Sequence, residues 1–269
     1  MSTPGEFLQS FLGFTGKVAL ITGSTAGLGR SMAETLCKAG CKVVINGRSE
    51  DRTATAAADI AQACQVLPES VLAAHGDTSQ PEACAAIVDK ITAHFGRLDI
   101  LVNNAGINLP EGVFEEQYSP EQWNKISQVN ISGPMNMTAA SLPLLKKSPA
   151  GRIINLSSMI AHVGSPSNTL YTMTKAAMLL FTKSLAADLA GKDDNQIVVN
   201  SISPGVFRTE MNAKFTASDE ALKEIESTIP MRRLGNPDEL AGIVMFLASD
   251  AASYTTGSDV VVDGGFVAV

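Results

Sequence analysis

Three side chains that can donate or accept a proton lie in the second half of the chain, at spacings that suggest acid–base catalysis. Tyr171 and Lys175 are four residues apart in a stretch of helical pattern, and Ser158 precedes Tyr171 by thirteen residues. Residues i and i+4 share one face of a helix, so this spacing places a phenol beside an ammonium. A free tyrosine has a pKa of about 10, and a nearby cation lowers it toward the range useful for acid–base catalysis. Taken alone, the pair also fits a packed aromatic and a solvated lysine.

A glycine-rich segment connects the first predicted strand to the first predicted helix. Residues 17–21 are a short apolar run typical of a buried parallel strand, and a helical pattern follows from residue 28 to residue 39. Between them lie Gly23, Gly27 and Gly29, in the spacing G-x-x-x-G-x-G. A strand, turn and helix in this order direct backbone N–H groups at a pyrophosphate, and glycine lets the ligand approach closely. An ordinary tight turn is the alternative interpretation.

Further motifs follow in order along the chain. They are Asp77-Thr78, Asn104-Ala105-Gly106, Asn130 after Val129, Ser158, the Tyr171/Lys175 pair, Pro204-Gly205 with Thr209, and Asp263-Gly264-Gly265. Together with the glycine turn, this ordered set resembles the short-chain dehydrogenase/reductase family over about residues 16–265. The resemblance implies a nicotinamide-dependent oxidoreductase.

The resemblance implies a role for each of four side chains. Tyr171 would exchange a proton with the substrate oxygen, and Lys175 would lower the pKa of that tyrosine and bind the nicotinamide ribose. Ser158 would hold the carbonyl oxygen, and Asn130 would hold a water molecule in a proton relay. Ser158 has the family's spacing, and adjacent strand residues face opposite ways, so only one of Ser157 and Ser158 can serve. Local capping by the serine and local hydrogen bonding by the asparagine are the non-catalytic alternatives.

The resemblance also implies a set of cofactor contacts at the ends of the strands. The set is Gly23, Ser24, Thr25, Gly27, Leu28, Gly29, Arg48, Asp77, Thr78, Asn104, Ala105, Gly106, Tyr171, Lys175, Pro204, Gly205, Val206, Phe207 and Thr209.

Cofactor preference depends on the residues that follow the second predicted strand. In NAD-binding folds, an acidic residue about 20 positions beyond the glycine turn binds the ribose 2′-hydroxyl. By resemblance Gly47 occupies that position, and Arg48 follows it with a guanidinium able to bind a 2′-phosphate through two hydrogen bonds. We therefore predict that NADP(H) is preferred. NAD(H) use is possible, because Ala26 stands in the turn where many NADP-preferring relatives carry a basic residue.

Charge and composition restrict the partners. The 269 residues carry a net charge of −7, with a pI of about 5.0, which argues against nucleic acid or an anionic membrane as a partner. No apolar run reaches the roughly 18 residues of a membrane helix, and no basic residue precedes Lys17, so no secretory signal is predicted. The four cysteines and three histidines lack metal-site spacing. We expect a cytoplasmic protein with a small-molecule substrate and no metal.

Strand and helix patterns alternate along the chain. Strand-like runs lie at residues 17–22, 42–46, 71–76, 99–103, 152–157, 196–203 and 259–263. Helical patterns lie at residues 28–39, 53–65, 82–94, 120–145, 170–190 and 238–248. This alternation predicts an α/β fold, a single-domain doubly wound parallel seven-stranded sheet of Rossmann type with helices on both faces. Ligands are expected beyond the carboxyl ends of the strands.

Residues 1–269 are treated as one dinucleotide-binding oxidoreductase domain. Residues 1–15 have an amphipathic pattern, and we expect a lead-in segment that packs against the sheet edge, with a partner-binding segment as the alternative. Residues 207–234 form the longest insertion between predicted strands. They carry Met211, Phe215 and Met231 among charged residues, so we expect them to form a lid over the substrate.

Two long apolar helical patterns, at residues 120–145 and 170–190, bear on assembly. The second contains the small residues Ala176, Ala177, Ala186 and Ala187, which would let helices approach closely. In the family the corresponding helices pair across a two-fold axis. We therefore predict a homotetramer, with a dimer as the alternative.

An NADP-dependent carbonyl reductase or alcohol dehydrogenase is the predicted function. Residues 230–237 and 262–265 are similar to 3-oxoacyl-carrier-protein reductases and to the related polyol, gluconate and xenobiotic-ketone dehydrogenases. Residues 11–16 and 46–48 favour the gluconate-type group slightly, and no dense basic patch suggests an acyl-carrier partner. A non-catalytic nucleotide sensor and a scaffold on the same fold are the alternatives. The filled catalytic positions argue against the first, and the glycine turn argues against the second. Glu111, Glu115 and Glu116 disfavour a strongly anionic substrate, whose identity the sequence leaves open.

Overall fold

A computed structural model describes residue 5 and residues 12–109, 113–191, 197–209 and 218–269. Within these ranges the chain forms a seven-stranded parallel sheet with the strand order β3-β2-β1-β4-β5-β6-β7. The strands are β1 (Val18–Ile21), β2 (Lys42–Ile45), β3 (Val71–Ala73), β4 (Ile100–Asn103), β5 (Arg152–Leu156), β6 (Val198–Pro204) and β7 (Asp259–Val262). The predicted doubly wound α/β fold is confirmed.

Helices connect successive strands. They are α1 (Gly27–Lys38), α2 (Glu50–Cys64), α3 (Pro81–Phe95), α4 (Phe114–Gln117), α5 (Pro120–Ser127), α6 (Gly133–Leu145), α7 (Thr169–Leu189), α8 (Asp219–Thr228) and α9 (Ala241–Ala248). Short 3₁₀ turns lie at Pro68–Ser70, Met159–Ala161, Pro237–Leu240, Asp250–Ala252 and Phe266–Ala268. Across the described parts of the chain, no helix combines the length and the apolar character needed to cross a membrane.

The sheet is covered on both faces, and β1 shows why its sequence is apolar throughout. Ala19 and Ile21 belong to a core cluster that also contains residues of α1, α2 and α9. Val18 and Leu20 belong to a second cluster, with residues of α3, α6 and α7. Successive strand residues point to opposite faces, so a strand with helices on both sides must be apolar at every position.

The prediction of one continuous helix over residues 120–145 is wrong. Helix α5 ends at Ser127, a π-helical turn spans Gln128–Ser132, and α6 begins at Gly133. Pro134 lacks the N–H that an α-helix would donate to the carbonyl of residue 130, and its ring crowds that carbonyl. A wider turn relieves this conflict, and such turns are common at functional sites. Asn130 lies in this turn.

The lead-in and lid segments are only partly described. Phe14 is 2 % exposed and lies in the first core cluster, with Leu12 packed against it. In the insertion at residues 207–234, the sequence analysis did not predict α8, whose N-terminus is capped by Ser218. Met211 and Phe215 lie outside the described residues.

A buried carboxylate ties strands together at the amino edge of the sheet, opposite the ligand edge. Asp99, just before β4, accepts hydrogen bonds from the Val18 amide at 2.9 Å, from Ser148 Oγ at 2.5 Å and from two Arg97 nitrogens at 2.7 and 2.9 Å. Burial alone would raise the pKa of the Asp99 carboxyl. The hydrogen bonds from Arg97, Ser148 and Val18 outweigh burial, so this pKa lies below its usual value.

We expect Asp99→Asn to lower the free energy of unfolding by about 2 kcal/mol at pH 7, because charge-assisted hydrogen bonds are lost. A carboxyl whose folded pKa is depressed stabilises the fold above its unfolded pKa and loses that effect as the pH falls through the folded value. Urea unfolding at fixed protein concentration should therefore show a constant difference between the two proteins from pH 7 to pH 5. The difference should narrow below about pH 4. A difference that grows on acidification would contradict the assignment.

Candidate active site

A cleft of about 990 Å³ runs along the carboxyl edge of the sheet, past the ends of β1, β2, β4, β5 and β6. Most of the predicted site residues line it. They are Gly23, Thr25, Leu28, Gly29, Arg48, Asp77, Thr78, Asn104, Ala105, Gly106, Ser158, Tyr171, Lys175, Pro204, Gly205, Val206, Phe207 and Thr209. Ser24, Gly27 and Asn130 are not part of its lining.

The glycine turn has the geometry of an anion cradle. Gly23 and Gly27 have φ values of +62° and +59°, a region that favours glycine. A Cβ at Gly29 would lie 2.4 Å from Asn104 Nδ2 and 2.5 Å from the Gly23 carbonyl oxygen, so no side chain fits there. Helix α1 begins after Ala26, with neither a side-chain cap nor an acidic residue in its first turn. Its positive end at the cleft therefore suits a pyrophosphate.

Side chains after β4 hold this turn in place. Asn104 Nδ2 donates hydrogen bonds to the carbonyls of Thr22 and Gly23, at 2.8 and 3.1 Å. Thr22 Oγ1 accepts from the backbone amides of Asn104 and Ala105, both at 3.0 Å. Ser24 is fully buried, and its Oγ donates to the Ile21 carbonyl at 2.7 Å. The Ser24 hydroxyl therefore supports the turn from below, and this side chain lies outside the cleft lining.

Asn46, at the end of β2, is a supporting residue that the sequence analysis missed. Its Nδ2 donates to the carbonyls of Ala74 and Gly76 at 2.9 and 3.2 Å, and its Oδ1 accepts from the Gly23 amide at 3.3 Å. It thereby joins the ends of three neighbouring strands. The available signal was a polar residue closing an apolar strand at the ligand edge, as Asn103 does in β4.

Helix α7 carries Tyr171 and Lys175 into the cleft and is fastened to the end of β5. Lys175 is 5 % exposed, and its Nζ donates to the Leu156 carbonyl at 2.9 Å. Ser157 Oγ donates in turn to the Lys175 carbonyl at 2.8 Å. Ser158 Oγ accepts from the Ile160 amide at 3.5 Å, a long hydrogen bond that leaves this hydroxyl more available than that of Ser157.

Asn130 lies behind this group and is 1 % exposed. Its Oδ1 accepts from the Ile107 amide at 2.8 Å, and its Nδ2 donates to the Ile107 carbonyl at 2.9 Å and to Thr174 Oγ1 at 3.1 Å. Thr174 Oγ1 donates to the Tyr171 carbonyl at 2.8 Å. The Asn130 side chain thus couples the loop after β4 to helix α7, and the structure places it outside the cleft lining.

The cleft has further lining residues at both ends that the sequence analysis did not select. Near β2, Arg52 joins Arg48; it lies one turn into α2, whose cap Ser49 accepts a hydrogen bond from its amide. Toward β6, Asn168 and one face of α8 close the cleft. The signal for Arg52 was its position three residues after a helix cap. The signal for α8 was Ser218 followed by Asp219 and Glu220, which is typical of a helix start. Among the described residues, no group of three or more His, Cys, Asp or Glu side chains is placed to hold a metal ion.

A family model described as enoyl-(acyl carrier protein) reductase matches residues 23–267, which span the glycine turn, the Tyr171/Lys175 pair and the last strand. The protein belongs to the short-chain dehydrogenase/reductase family. It is an oxidoreductase of that family. The resemblance inferred from the ordered motifs is confirmed.

Curated relatives match this short-chain dehydrogenase/reductase over nearly their whole length. It is 39 % identical to Nodulation protein G of Azospirillum brasilense, over 93 % of this chain and 97 % of the relative. It is 38 % identical to the 3-oxoacyl-[acyl-carrier-protein] reductase FabG of Aquifex aeolicus, with the same coverage of 93 % and 97 %.

Solved structures show the same fold with a nicotinamide cofactor. A gluconate 5-dehydrogenase from Burkholderia cenocepacia, in complex with NADP and tartrate, superposes with a TM-score of 0.87 at 32 % identity, covering 95 % of this chain and 96 % of that one. A Pseudomonas aeruginosa RhlG/NADP active-site complex gives a TM-score of 0.88 at 31 % identity, with coverage of 96 % and 98 %.

Burial, rather than the neighbouring charge, sets the ionisation of the Tyr171/Lys175 pair. It raises the pKa of Tyr171 to about 12 and lowers the pKa of Lys175 to about 8. Lys175 Nζ lies 5.6 Å from the centroid of the Tyr171 ring and is bonded to a backbone carbonyl. Burial therefore opposes the effect of the nearby cation in this structure, and the lowering of the Tyr171 pKa by Lys175 stays a prediction. The phenol stays protonated at neutral pH.

We expect Lys175→Met to change how stability depends on pH. Between pH 8 and 10.5 the unfolded wild type holds a proton that the folded protein has released, so its free energy of unfolding rises with pH. Methionine cannot titrate, and Tyr171 is present in both proteins. The difference, wild type minus variant, should therefore increase by about 1–3 kcal/mol between pH 7.5 and pH 10. Urea unfolding measures this difference in the free energy of unfolding. A difference that stays constant between pH 7.5 and pH 10 would contradict a buried lysine.

Proposed function

We propose that this enzyme transfers a hydride between NADP(H) and a carbonyl or secondary alcohol of a small molecule, with Tyr171 as the general acid or base. The observation that carries the proposal is one continuous cleft, which joins the glycine turn to Ser158 and Tyr171. A nucleotide sensor would not need these side chains at the end of its binding cleft. The sequence analysis reached the same function from the motifs.

The lining fits a dinucleotide. The cradle at Gly23 and Gly29 and the uncapped start of α1 suit a pyrophosphate, and Asp77 and Thr78 lie where β3 meets the cleft. The turn after β4 and residues 204–207 after β6 complete the wall. A bound nicotinamide supplies or accepts the hydride at the substrate carbon.

Side chains of the protein bind the substrate oxygen and exchange a proton with it. Tyr171, protonated at neutral pH, donates a proton to that oxygen as the carbonyl is reduced. The Ser158 hydroxyl donates a hydrogen bond that holds the carbonyl oxygen in position for this proton transfer. The buried Lys175 ammonium lies beside the phenol and favours the phenolate as it forms. Asn130 fixes the loop and the helix that carry these groups.

Preference for NADP(H) rests on positive charge at the β2 end of the cleft. Arg48 and Arg52 both line it, and neither forms an ion pair with any described residue. Gly47 supplies no carboxylate to repel a 2′-phosphate. The two solved relatives named above are complexes with NADP. Arg52 offers a second cation where the turn itself has only Thr25 and Ala26.

Reduction of a 3-oxoacyl thioester on a carrier protein is a second candidate, favoured by the relative of that name at 38 % identity. It predicts turnover of an acetoacetyl thioester that is faster by an order of magnitude on the carrier than on a short pantetheine analogue. Equal rates would leave the free small molecule as the substrate.

We further propose that the enzyme is a homotetramer and acts in the cytoplasm. Met135 on α6, with Met173 and Leu180 on α7, are about half exposed or more, which leaves large apolar side chains uncovered on both helices. Ala186, which the sequence analysis assigned to helix contacts, is instead 3 % exposed in the core. All four cysteines are free, as a reducing compartment requires.

Tyr171→Phe should reduce turnover by on the order of 10² or more, because only the proton donor is lost. NADPH affinity, measured by fluorescence titration, should stay within about twofold of wild type. Tyr118→Phe is the matched control, since Tyr118 is half exposed and outside the cleft. A Tyr171→Phe enzyme that keeps more than a tenth of wild-type turnover, with chemistry rate-limiting, rules out this acid.

Arg48→Ala should weaken NADPH binding by about tenfold and leave NADH binding nearly unchanged, because the guanidinium contacts only the 2′-phosphate. Arg52→Ala should act in the same direction. Arg233→Ala is the control, because Arg233 pairs with Glu239 away from the cleft. Titration with NADPH and with NADH measures the ratio of the two affinities. An equal loss of affinity for both cofactors would overturn the assignment.

Gly47→Asp adds a carboxylate and should shift the preference toward NADH, but this position is crowded in the structure. A Cβ at Gly47 would lie 2.6 Å from Thr25 Cγ2 and 2.9 Å from Thr53 Oγ1. Thr53 Oγ1 is held by a hydrogen bond to the Ser49 carbonyl. The arginine variants are therefore the cleaner test.

Leu180→Glu should shift the protein to smaller species in light scattering, because it places a charge in the proposed interface. Leu67→Glu is the control; Leu67 has the same exposure, 66 % against 67 %, and lies before β3, away from α6 and α7. A monomeric wild type with full activity at micromolar concentration would contradict the proposed assembly.

A further inference from the structure

The charges that line the cleft are unevenly distributed. Arg48 and Arg52 lie at the β2 end, Asp77 lies beside β3, and Lys175 is buried beneath the phenol. Near the end of β6, where Arg208 pairs with Glu226 of α8, Glu224 is the one charged side chain among the described residues of the lining. The end that would receive the part of a substrate beyond its reacting carbonyl therefore carries a negative charge.

Helix α8 presents Glu224 to the cleft along one face. Ala221, Glu224, Ile225 and Thr228 all line the cleft, and their spacing of three, four and seven residues is that of a single helical face. The end of the helix is tethered, because the Met231 amide donates to the Gly264 carbonyl at 3.1 Å and the adjoining Ile229 is 2 % exposed. The orientation of this face is thus fixed by contacts beyond β7.

The Glu224 carboxylate has no hydrogen bond or ion pair with the described residues, whereas Glu226 on the same helix pairs with Arg208 at 3.5 Å. The Glu224 side chain is exposed to the cleft. The polar residues that share this end of the cleft, Ser165, Asn168 and Thr228, are uncharged. Hydroxyl groups of a ligand could donate to the carboxylate, but a second carboxylate would be repelled by it.

We propose that Glu224 determines the substrate class, selecting neutral, hydroxyl-bearing ketones and polyols and excluding substrates that carry a carboxylate. The proposal rests on the proposed function and deepens it. A hydroxyl of the substrate donates to the Glu224 carboxylate, and an anionic group in the same place meets a like charge that is not paired with any described residue.

The test compares a six-carbon sugar alcohol with the six-carbon sugar acid of the same configuration, both oxidised with NADP⁺. The wild type should have the higher kcat/KM for the sugar alcohol. Glu224→Gln should shift the ratio of the two kcat/KM values toward the sugar acid by about tenfold, the effect of one like charge near the cleft surface. Glu220→Gln is the matched control, since it removes the same charge from the same helix outside the cleft, and it should leave the ratio unchanged.

A binding measurement separates this proposal from the proposed reaction. Calorimetric titration of tartrate into the enzyme saturated with NADP⁺ should show tighter binding to Glu224→Gln than to wild type, with Glu220→Gln like wild type. If the wild type prefers the sugar acid, or if Glu224→Gln changes neither the ratio nor tartrate affinity by more than twofold, the proposal is wrong. If no alcohol is oxidised yet tartrate affinity rises as expected, charge selection by Glu224 stands and the proposed reaction fails.

Discussion

Two reciprocal hydrogen bonds between α7 and the end of β5 are the constraint on which the site depends. Lys175 Nζ donates to the Leu156 carbonyl, and Ser157 Oγ donates back to the Lys175 carbonyl. These two hydrogen bonds fix the position of α7 along its axis and its rotation about that axis. They therefore also fix the position of Tyr171 relative to Ser158. The same two bonds hold an ammonium out of water, and that burial shifts the pKa values of both titrating groups.

Under the proposed mechanism, the same arrangement bears on the direction of proton transfer. A phenol that burial keeps protonated is ready to donate, which suits reduction of a carbonyl at neutral pH. In the proposed reverse reaction the phenol would first have to lose its proton, which burial disfavours. The environment of one side chain therefore biases the chemistry, although the overall equilibrium remains that of the substrates and the cofactor.

Much of the fold was predictable because parallel strands buried on both faces must be apolar throughout, and glycine must stand where backbone and ligand meet. The parallel seven-stranded sheet and the location of the cleft at its carboxyl edge followed from those two requirements. The register of Tyr171 and Lys175 followed from helix geometry. These inferences depend on local spacing, which a sequence displays directly.

The features that sequence reasoning missed depend on packing in three dimensions. Pro134 signalled a conflict within a helical pattern, but the conflict could be resolved by a break or by a wider turn. The pKa of Tyr171 depends on how much water reaches it, which no spacing reveals. Ala186 has the same residue type as Ala187, yet it faces the core. The polar faces of α2 and α8 entered the cleft through the way their helices dock.

The crowding at Gly47 has a consequence for how cofactor preference could change over time. A side chain at this position must displace Thr25 or Thr53, so an acidic residue gains its hydrogen bond to a ribose only where the neighbouring side chain is already smaller. The effects of the two substitutions would be non-additive, as expected for residues in contact. Loss of the Thr25 methyl group would relieve the closer of the two contacts, so that change would have to precede an acidic residue at position 47.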